Sequence, residues 1–572
     1  MSLAGEQHAG GSARWPAFQG LGWLVVRWLW EPALGPAGLV GIRWIFLRAL
    51  GLIYFSAFYS LYDQICGLIG PHGVLPARLY LEQVWQVLGW RGLWFAPTLL
   101  WVNSSDQALR ALCWLGMTAA VLLVLNLWPR VMLATCFVLF LSFVTAAEDF
   151  SSYQSDGMLL AAGLFALLLT PGGWRPGWAL EQPPRRVAVW LLRWEWFRIY
   201  FESGVAKLVG HDPQWRHLTA MDHYYENGPL PTWLAWYAAQ LPHRFHAATA
   251  LFTLVLELGL VWMLLLPRPF RIALFPLTSV FQTGILLTAN YTFLNYLTLA
   301  EGLWLLDDRW LARLSLLPRR LAVAAAARPE VSWVDLREAQ CPALLQLQTH
   351  GAAASSEVVR ESHRQEGLRA VLAPVAGILF CLWMFYATGA KLLAEISPAL
   401  SLPAAPVVWL EPFRVANLYG LFGVMTRARY EIEFQGSRDG QTWVAYPFRY
   451  KPQDPARPPG FFAPYQPRLD WNLWFASLGP WTESPFVLRI EQCLLEGEPD
   501  VLKLFAGDPF GGRPPTQVRA VLWQYWFADP QEHRRGLWWQ RRWLGLYAPA
   551  LARRPDGRYE IIAMPRPIIT WP

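Results

Sequence analysis

Apolar positions in this chain gather into long runs, and most charges fall between the runs, the run at 187–207 being the main exception. A bilayer core of about 30 Å needs roughly 20 apolar residues per helix, fewer where neighbours cover the helix. Runs of that kind lie near 44–66, 107–127, 131–147, 157–170, 187–207, 247–266, 271–289, 291–306 and 370–392, the fourth and eighth being short. They predict about nine transmembrane helices. Beyond about 411 the pattern changes to alternation with a period of two, as in Tyr430-Glu-Ile-Glu-Phe434, then Asp439-Gly440 at a turn, then Thr442-Trp-Val-Ala-Tyr446. That is a β-hairpin pattern. Strand-like runs at 486–494, 518–527 and 558–564, separated by Pro/Gly-rich turns, predict a compact antiparallel β domain, with a sandwich as one arrangement.

Loop charge orients the spans, because retained cytoplasmic loops carry Arg and Lys. Arg14, Arg27 and Arg43 precede the first run, Arg130 separates the second and third, Arg175, Arg185 and Arg186 follow the fourth, and Arg268 and Arg271 follow the sixth. The 307–369 segment adds nine arginines, whereas 148–156 carries Glu148, Asp149 and Asp156 and no base. The organisation expected is a cytoplasmic segment 1–43, a helical membrane core 44–306, an Arg-rich cytoplasmic loop 307–369, a last span and linker 370–410, and an extracytoplasmic Trp-rich β domain 411–572.

Composition supports the membrane reading: the 572 residues are 54% apolar and 16% charged, too apolar for an ordinary water-soluble surface. The net charge of +7 raises nucleic acid as a partner, but the basic residues punctuate apolar runs instead of clustering on a face, which excludes it. Lysine occurs only at 207, 391, 451 and 503, a bias towards arginine expected of a GC-rich bacterial genome and hence of an inner membrane; in a eukaryote the membrane would be that of the endoplasmic reticulum. Six cysteines form no CxxC and no zinc spacing, so no metal is expected, although Cys66 and Cys493 could share the outer side as a disulfide. The first thirteen residues lack a secretory signal pattern, which leaves the first span as the insertion signal.

Candidate chemistry concentrates in Arg193-Trp-Glu-Trp-Phe-Arg-Ile-Tyr-Phe-Glu-Ser-Gly-Val-Ala-Lys-Leu208. Ionisable groups at membrane depth cost about 2.5–3.5 kcal/mol on insertion scales and usually face a cavity or a partner. Glu195, Arg198 and Glu202 are spaced to share one helical face as an ion-paired ladder. Lys207 ends the run; snorkelling to the interface competes there with a partly buried amine able to act as a general base, with Glu202 beside it. Lys391 closes a similar Gly-x-Lys-Leu ending, where snorkelling is the simpler reading. The following loop holds Trp215, Arg216, His217, Asp222, His223, Tyr224 and Glu226, dense for a connector yet without a metalloprotease spacing. Ser155 or Asp156 is placed to cap the fourth span. No phosphate loop or nucleophile elbow occurs, which excludes an NTPase or a lipase.

The tract Lys207-Leu, Trp215-Arg-His-Leu-Thr-Ala-Met-Asp-His-Tyr-Tyr-Glu226 and Pro229-Leu-Pro231 resembles the lipase maturation factor family. So do Ala289-Asn-Tyr-Thr-Phe-Leu-Asn-Tyr-Leu-Thr298 and Pro464-Tyr-Gln-Pro-Arg-Leu-Asp-Trp-Asn-Leu-Trp-Phe-Ala476; the likeness covers about 40–310 and 370–570. It departs at Ala161, where the family pattern has Glu, and at Tyr465, where it has His. The resemblance implies a non-enzymatic membrane factor that helps secreted lipases fold and assemble, in contact with membrane lipid, with client contacts among the 215–226 residues, Asp156, Lys391, Asp470 and Trp471. The membrane core is also similar to vitamin K-dependent gamma-carboxylase, whose Tyr-Phe-x-x-Gly-x-x-Lys-Leu element places a base on a reduced quinone. That lysine maps onto Lys207 and implies, as the alternative, an enzyme acting on a quinone or lipid.

Overall fold

The computed structural model describes residues 21–31, 35–151, 153–316, 318 and 357–566. Arg14, Cys341 and most of the Arg-rich loop lie outside the described residues. A short helix α1 (Leu21–Trp30) precedes α2 (Val40–Ile69), and α3 (Ala77–Leu88) leads to α4 (Asp106–Val124), α5 (Pro129–Ala146) and α6 (Gln154–Leu169). Then come α7 (Arg186–Val209), the loop helix α8 (Ala220–Asn227), α9 (His243–Leu258), α10 (Arg268–Thr288), α11 (Leu294–Gly302) and the long α12 (Glu357–Ile396).

Among the described residues six helical segments are long and apolar enough to cross a membrane: Val40–Ile69, Asp106–Val124, Pro129–Ala146, His243–Leu265, Arg268–Thr288 and Leu372–Ile396. The other three predicted runs are also helical, but α6 and α11 are short and α7 carries five charged side chains after Ala188. Their position explains the difference. In α6, 12 of 16 residues are buried, whereas only 17% of the apolar stretch of α10 is. A helix wrapped by other helices needs neither full length nor an unbroken apolar surface, because protein rather than lipid surrounds it. Small residues let α2 and α4 approach closely: a Cβ on Gly116 would sit 2.6 Å from the Phe58 ring.

Among the described residues the C-terminal domain holds a single six-stranded antiparallel sheet rather than the two of a sandwich. Its strands are β1 (Arg429–Ser437), β2 (Val444–Ala445), β3 (Gln517–Phe527), β4 (Trp539–Leu546), β5 (Ala550–Arg553) and β6 (Tyr559–Ala563). They order as β2-β1-β3-β5-β6, with β4 also on β3. The predicted turn is present: Asp439 accepts from the backbone of Gln441 and Thr442, and Gly440 takes the left-handed conformation at φ +73. Those N–H groups hold the Asp439 carboxyl well below its usual range.

One strand assignment is wrong. Residues 486–494 lie in a helix, α14 (Phe486–Glu496), preceded by α13 (Arg468–Ala476). Phe486, Val487, Ile490, Cys493 and Leu494 are buried at helical spacing, a period that a short apolar run does not distinguish from a buried strand. These helices supply the second layer that another sheet would have supplied; Tyr547 beyond β4 donates to the Ala476 carbonyl of α13 at 2.7 Å. Cys66 and Cys493 are both free thiols, which corrects the expected disulfide.

Candidate functional site

The ionisable residues of α7 converge on 414–425, the segment that enters the C-terminal domain. Arg198 and Glu202 pair along one face of the helix at 2.6 Å, both essentially buried, as their spacing predicts. Glu202 also accepts from the Tyr419 backbone N–H at 2.8 Å, and Arg198 donates to the Asn417 carbonyl. Glu195 completes the ladder differently, accepting the Tyr419 hydroxyl at 3.1 Å. The acids and bases of this span therefore hold the backbone of this largely apolar segment against the bundle.

Lys207 is 2% exposed and does not reach the surface. Its amine pairs with Glu257 of α9 at 2.8 Å, donates to the Leu421 carbonyl at 2.9 Å and to the Ser203 carbonyl at 3.3 Å, and lies 5.0 Å from the centre of the Trp215 ring. The amine thus has two carbonyl acceptors and a carboxylate countercharge, and the ring adds a cation–π contact. Trp215 itself donates to the Phe422 carbonyl at 2.9 Å. Sequence reading missed Glu257, although it is the lone acid inside the run at 247–266 and an intramembrane acid calls for a partner.

The 211–240 loop forms the floor on which the domain rests. Asp212 accepts from the Met425 backbone N–H at 2.7 Å, and Glu226 accepts from that of Phe527 at 2.8 Å. Burial pushes the Glu226 carboxyl up. Tyr224 is buried beside Phe422 at 5.6 Å. By contrast Arg216, His217 and His223 are exposed, and Asp222 sits between His243 and His246, each at 2.9 Å. Among the described residues no group of three or more His, Cys, Asp or Glu side chains is arranged to hold a metal.

Asp156 does not cap its helix; α6 begins after Tyr153 without a side-chain cap. It is fully buried and takes both guanidinium nitrogens of Arg468 at 2.8 and 2.9 Å, a bidentate pair joining α6 to α13. Asp470, two residues on, instead stays within the domain, accepting from the Tyr450 and Lys451 backbones, and burial raises its carboxyl to about 6. Trp471 returns to the seam, 5.4 Å from the Tyr153 ring and 6.1 Å from that of Tyr291. Asn290 uses its whole amide there, donating to Leu230 and Gly460 carbonyls and accepting from Phe462 and Ala463 N–H groups. Lys391 lies apart, 3.4 Å from Glu411.

Beside this seam opens a cavity of about 220 Å³ lined by Leu230 and Pro231 of the bundle, the 449–462 loop and Trp539. Phe461 at its mouth is half exposed. The cavity accommodates one large side chain and draws its walls from both parts of the chain.

The comparisons with known proteins follow the same division. Residues 41–313 match the family model described as the lipase maturation factor transmembrane domain, and 415–549 match the lipase maturation factor C-terminal domain. Lipase maturation factor 2 of Mus musculus is 33% identical over 588 residues, covering 89% of this chain and 82% of the relative. Its Homo sapiens counterpart is 32% identical over 594 residues with the same coverage. Lipase maturation factor 1 of Bos taurus is 32% identical over 534 residues, covering 90% of this chain and 89% of the relative. No solved structure matches the chain. At that identity and coverage, this integral membrane protein belongs to the lipase maturation factor family.

Proposed function

We propose that the chain is a membrane-embedded maturation factor that assists the folding and assembly of secreted lipases or related exported proteins. The observation that carries this reading is the seam: buried ion pairs and side-chain-to-backbone hydrogen bonds fix the C-terminal domain on the bundle and leave a two-sided cavity open beside it. A fixed platform with a recess of mixed polar and aromatic lining suits capture of a client side chain. The names of the relatives point to lipases as that client.

The membrane is that of a bacterial cytoplasm, or of the endoplasmic reticulum if the chain is eukaryotic. All nine helical runs count as crossings, α6, α7 and α11 as the enclosed ones, and the C-terminal domain is extracytoplasmic. Alkaline phosphatase fused after residue 566 is then active; an inactive fusion beside an active cytoplasmic reporter at the same point reverses the orientation.

The functional test is deletion of the gene with both the amount and the specific activity of secreted lipases measured. Specific activity falls in the deletion strain and returns on complementation. Unchanged specific activity would count against maturation as the role.

A further inference from the structure

Between α2 and α4 the chain spends residues 70–105 on a return between two adjacent, antiparallel helices, far more than the few residues such a connection needs. Both junctions face the C-terminal domain: near the end of α2, Gln64 donates to the Gln466 carbonyl and accepts from the Arg468 N–H, each at 2.8 Å, and in the first turns of α4 Arg110 lies 3.6 Å from Asp500.

The depth of this connection is fixed by its bonds. Thr98 donates to the Ser142 carbonyl at 2.9 Å, and the Leu99 N–H donates to the Ser142 hydroxyl at 3.1 Å. Ser142 precedes the end of α5 at Ala146 by one helical turn, so the 96–100 turn lies roughly 6 Å below the end of that span at 1.5 Å per residue. Its inner face is packed through Leu81, Gly92, Ala96 and Leu100. Its outer face is apolar and open: Val102 is 91% exposed, Val87 81% and Trp90 74%, with Leu93 and Phe95 also exposed. From 83 to 105 the only charged residue is Arg91. The patch is continuous with a second segment that follows the last span, because Trp94 packs edge-on against Trp409 at 5.5 Å and Phe413 at 5.0 Å, and Trp409 is itself exposed.

Position, aromatic content and low charge select the occupant. Trp-rich apolar surface at that depth, flanked by lipid-facing spans, matches the headgroup–acyl boundary. We propose that residues 77–102 form a monotopic hairpin lying in the membrane interface on the side of the C-terminal domain, with the bilayer itself as the partner. The hairpin and the Trp409 segment together set the depth at which the domain rides.

The test places benzoylphenylalanine singly at Trp90, Leu93 or Val102 of the full chain, with His72 in the preceding turn as the water-facing control. The chain is held one copy per nanodisc of phosphatidylcholine and phosphatidylglycerol, and irradiated; each variant is first required to keep the parent melting temperature. The expected result is a mass increase equal to a phospholipid at the three hairpin positions and not at His72. No lipid adduct above the His72 level overturns the proposal. So do crosslinked dimers, in place of lipid adducts, when the same variants are irradiated in vesicles, since these make the face a contact between two copies.

Discussion

A lysine buried at the end of a membrane helix can be a proton acceptor or a fixed charge, and Lys207 has the environment of the second. Two backbone carbonyls accept from its amine and Glu257 supplies the countercharge. Removing one partner of a buried pair leaves the other uncompensated, at about 3–5 kcal/mol, whereas removing both is far milder. Lys207→Met and Glu257→Gln are each expected to lower the melting temperature of the detergent-solubilised chain sharply, and the double variant to recover much of the loss. Lys207→Arg keeps the charge and cannot give up its proton. Complementation by Lys207→Arg but not Lys207→Ala is the outcome expected of a brace; failure of both with stability intact would restore a proton-transfer role.

Asp470 titrates within reach of ordinary buffers. Its folded-state carboxyl is raised to about 6, above the unfolded value of about 3.9, so the folded state binds the extra proton between these values. Stability from this group is present below about pH 4 and is lost as pH rises to 6, a loss on the order of 3 kcal/mol at 1.36 kcal/mol per unit. Melting temperatures of the parent minus those of Asp470→Asn are expected to fall between pH 4 and 6 and to level off above. A flat difference across that window would show that the two backbone N–H bonds outweigh burial.

Among the elements, the membrane helices were legible because lipid imposes a strong, local constraint that a run of apolar residues satisfies by itself. The C-terminal domain was legible only where its period was clean. Tyr430-Glu-Ile-Glu-Phe434 alternates and is β1, while the run at 486–494 packs one face of a helix that a short window does not separate from a strand. Within the candidate site, spacing along one helix revealed Arg198–Glu202, but the partners of Lys207 and Asp156 lie 50 and 312 residues away and come from the fold. Arg468 stood inside a tract already singled out by resemblance, yet nothing local marks an arginine as the mate of a distant aspartate. Asp222, His243 and His246 likewise meet only once α9 packs on α8. Helix packing gives a prediction of its own. Gly116→Ala puts a methyl against the buried Phe58 ring between α2 and α4, and overpacking of that kind costs about 1–3 kcal/mol. A lowered melting temperature for Gly116→Ala, relieved by Phe58→Leu in the same chain, is the expected pattern.

For the whole molecule the question is whether the two parts act as one body. The Arg468–Asp156 pair is a fully enclosed ionic link between them: both side chains are buried, the contact is bidentate, and Arg468 also donates to the Phe150 carbonyl at 2.5 Å. Arg468→Met leaves a bare carboxylate inside the protein, and Asp156→Asn leaves a bare guanidinium, so either change favours opening of the seam over unfolding of the sheet, whose strands are paired among themselves. Protease cleavage in 397–428 and amide exchange in 147–156 and 464–476 are expected to accelerate in each single variant and less in Asp156→Asn/Arg468→Met, with the strands still protected. If lipase maturation depends on a fixed platform, the specific activity of the secreted lipase falls in step with that opening even though both parts remain folded. An opened seam with undiminished lipase activity would mean that the domain works as a tethered module, and the cavity walled by Leu230, Pro231 and Trp539 could then not be where the client is held.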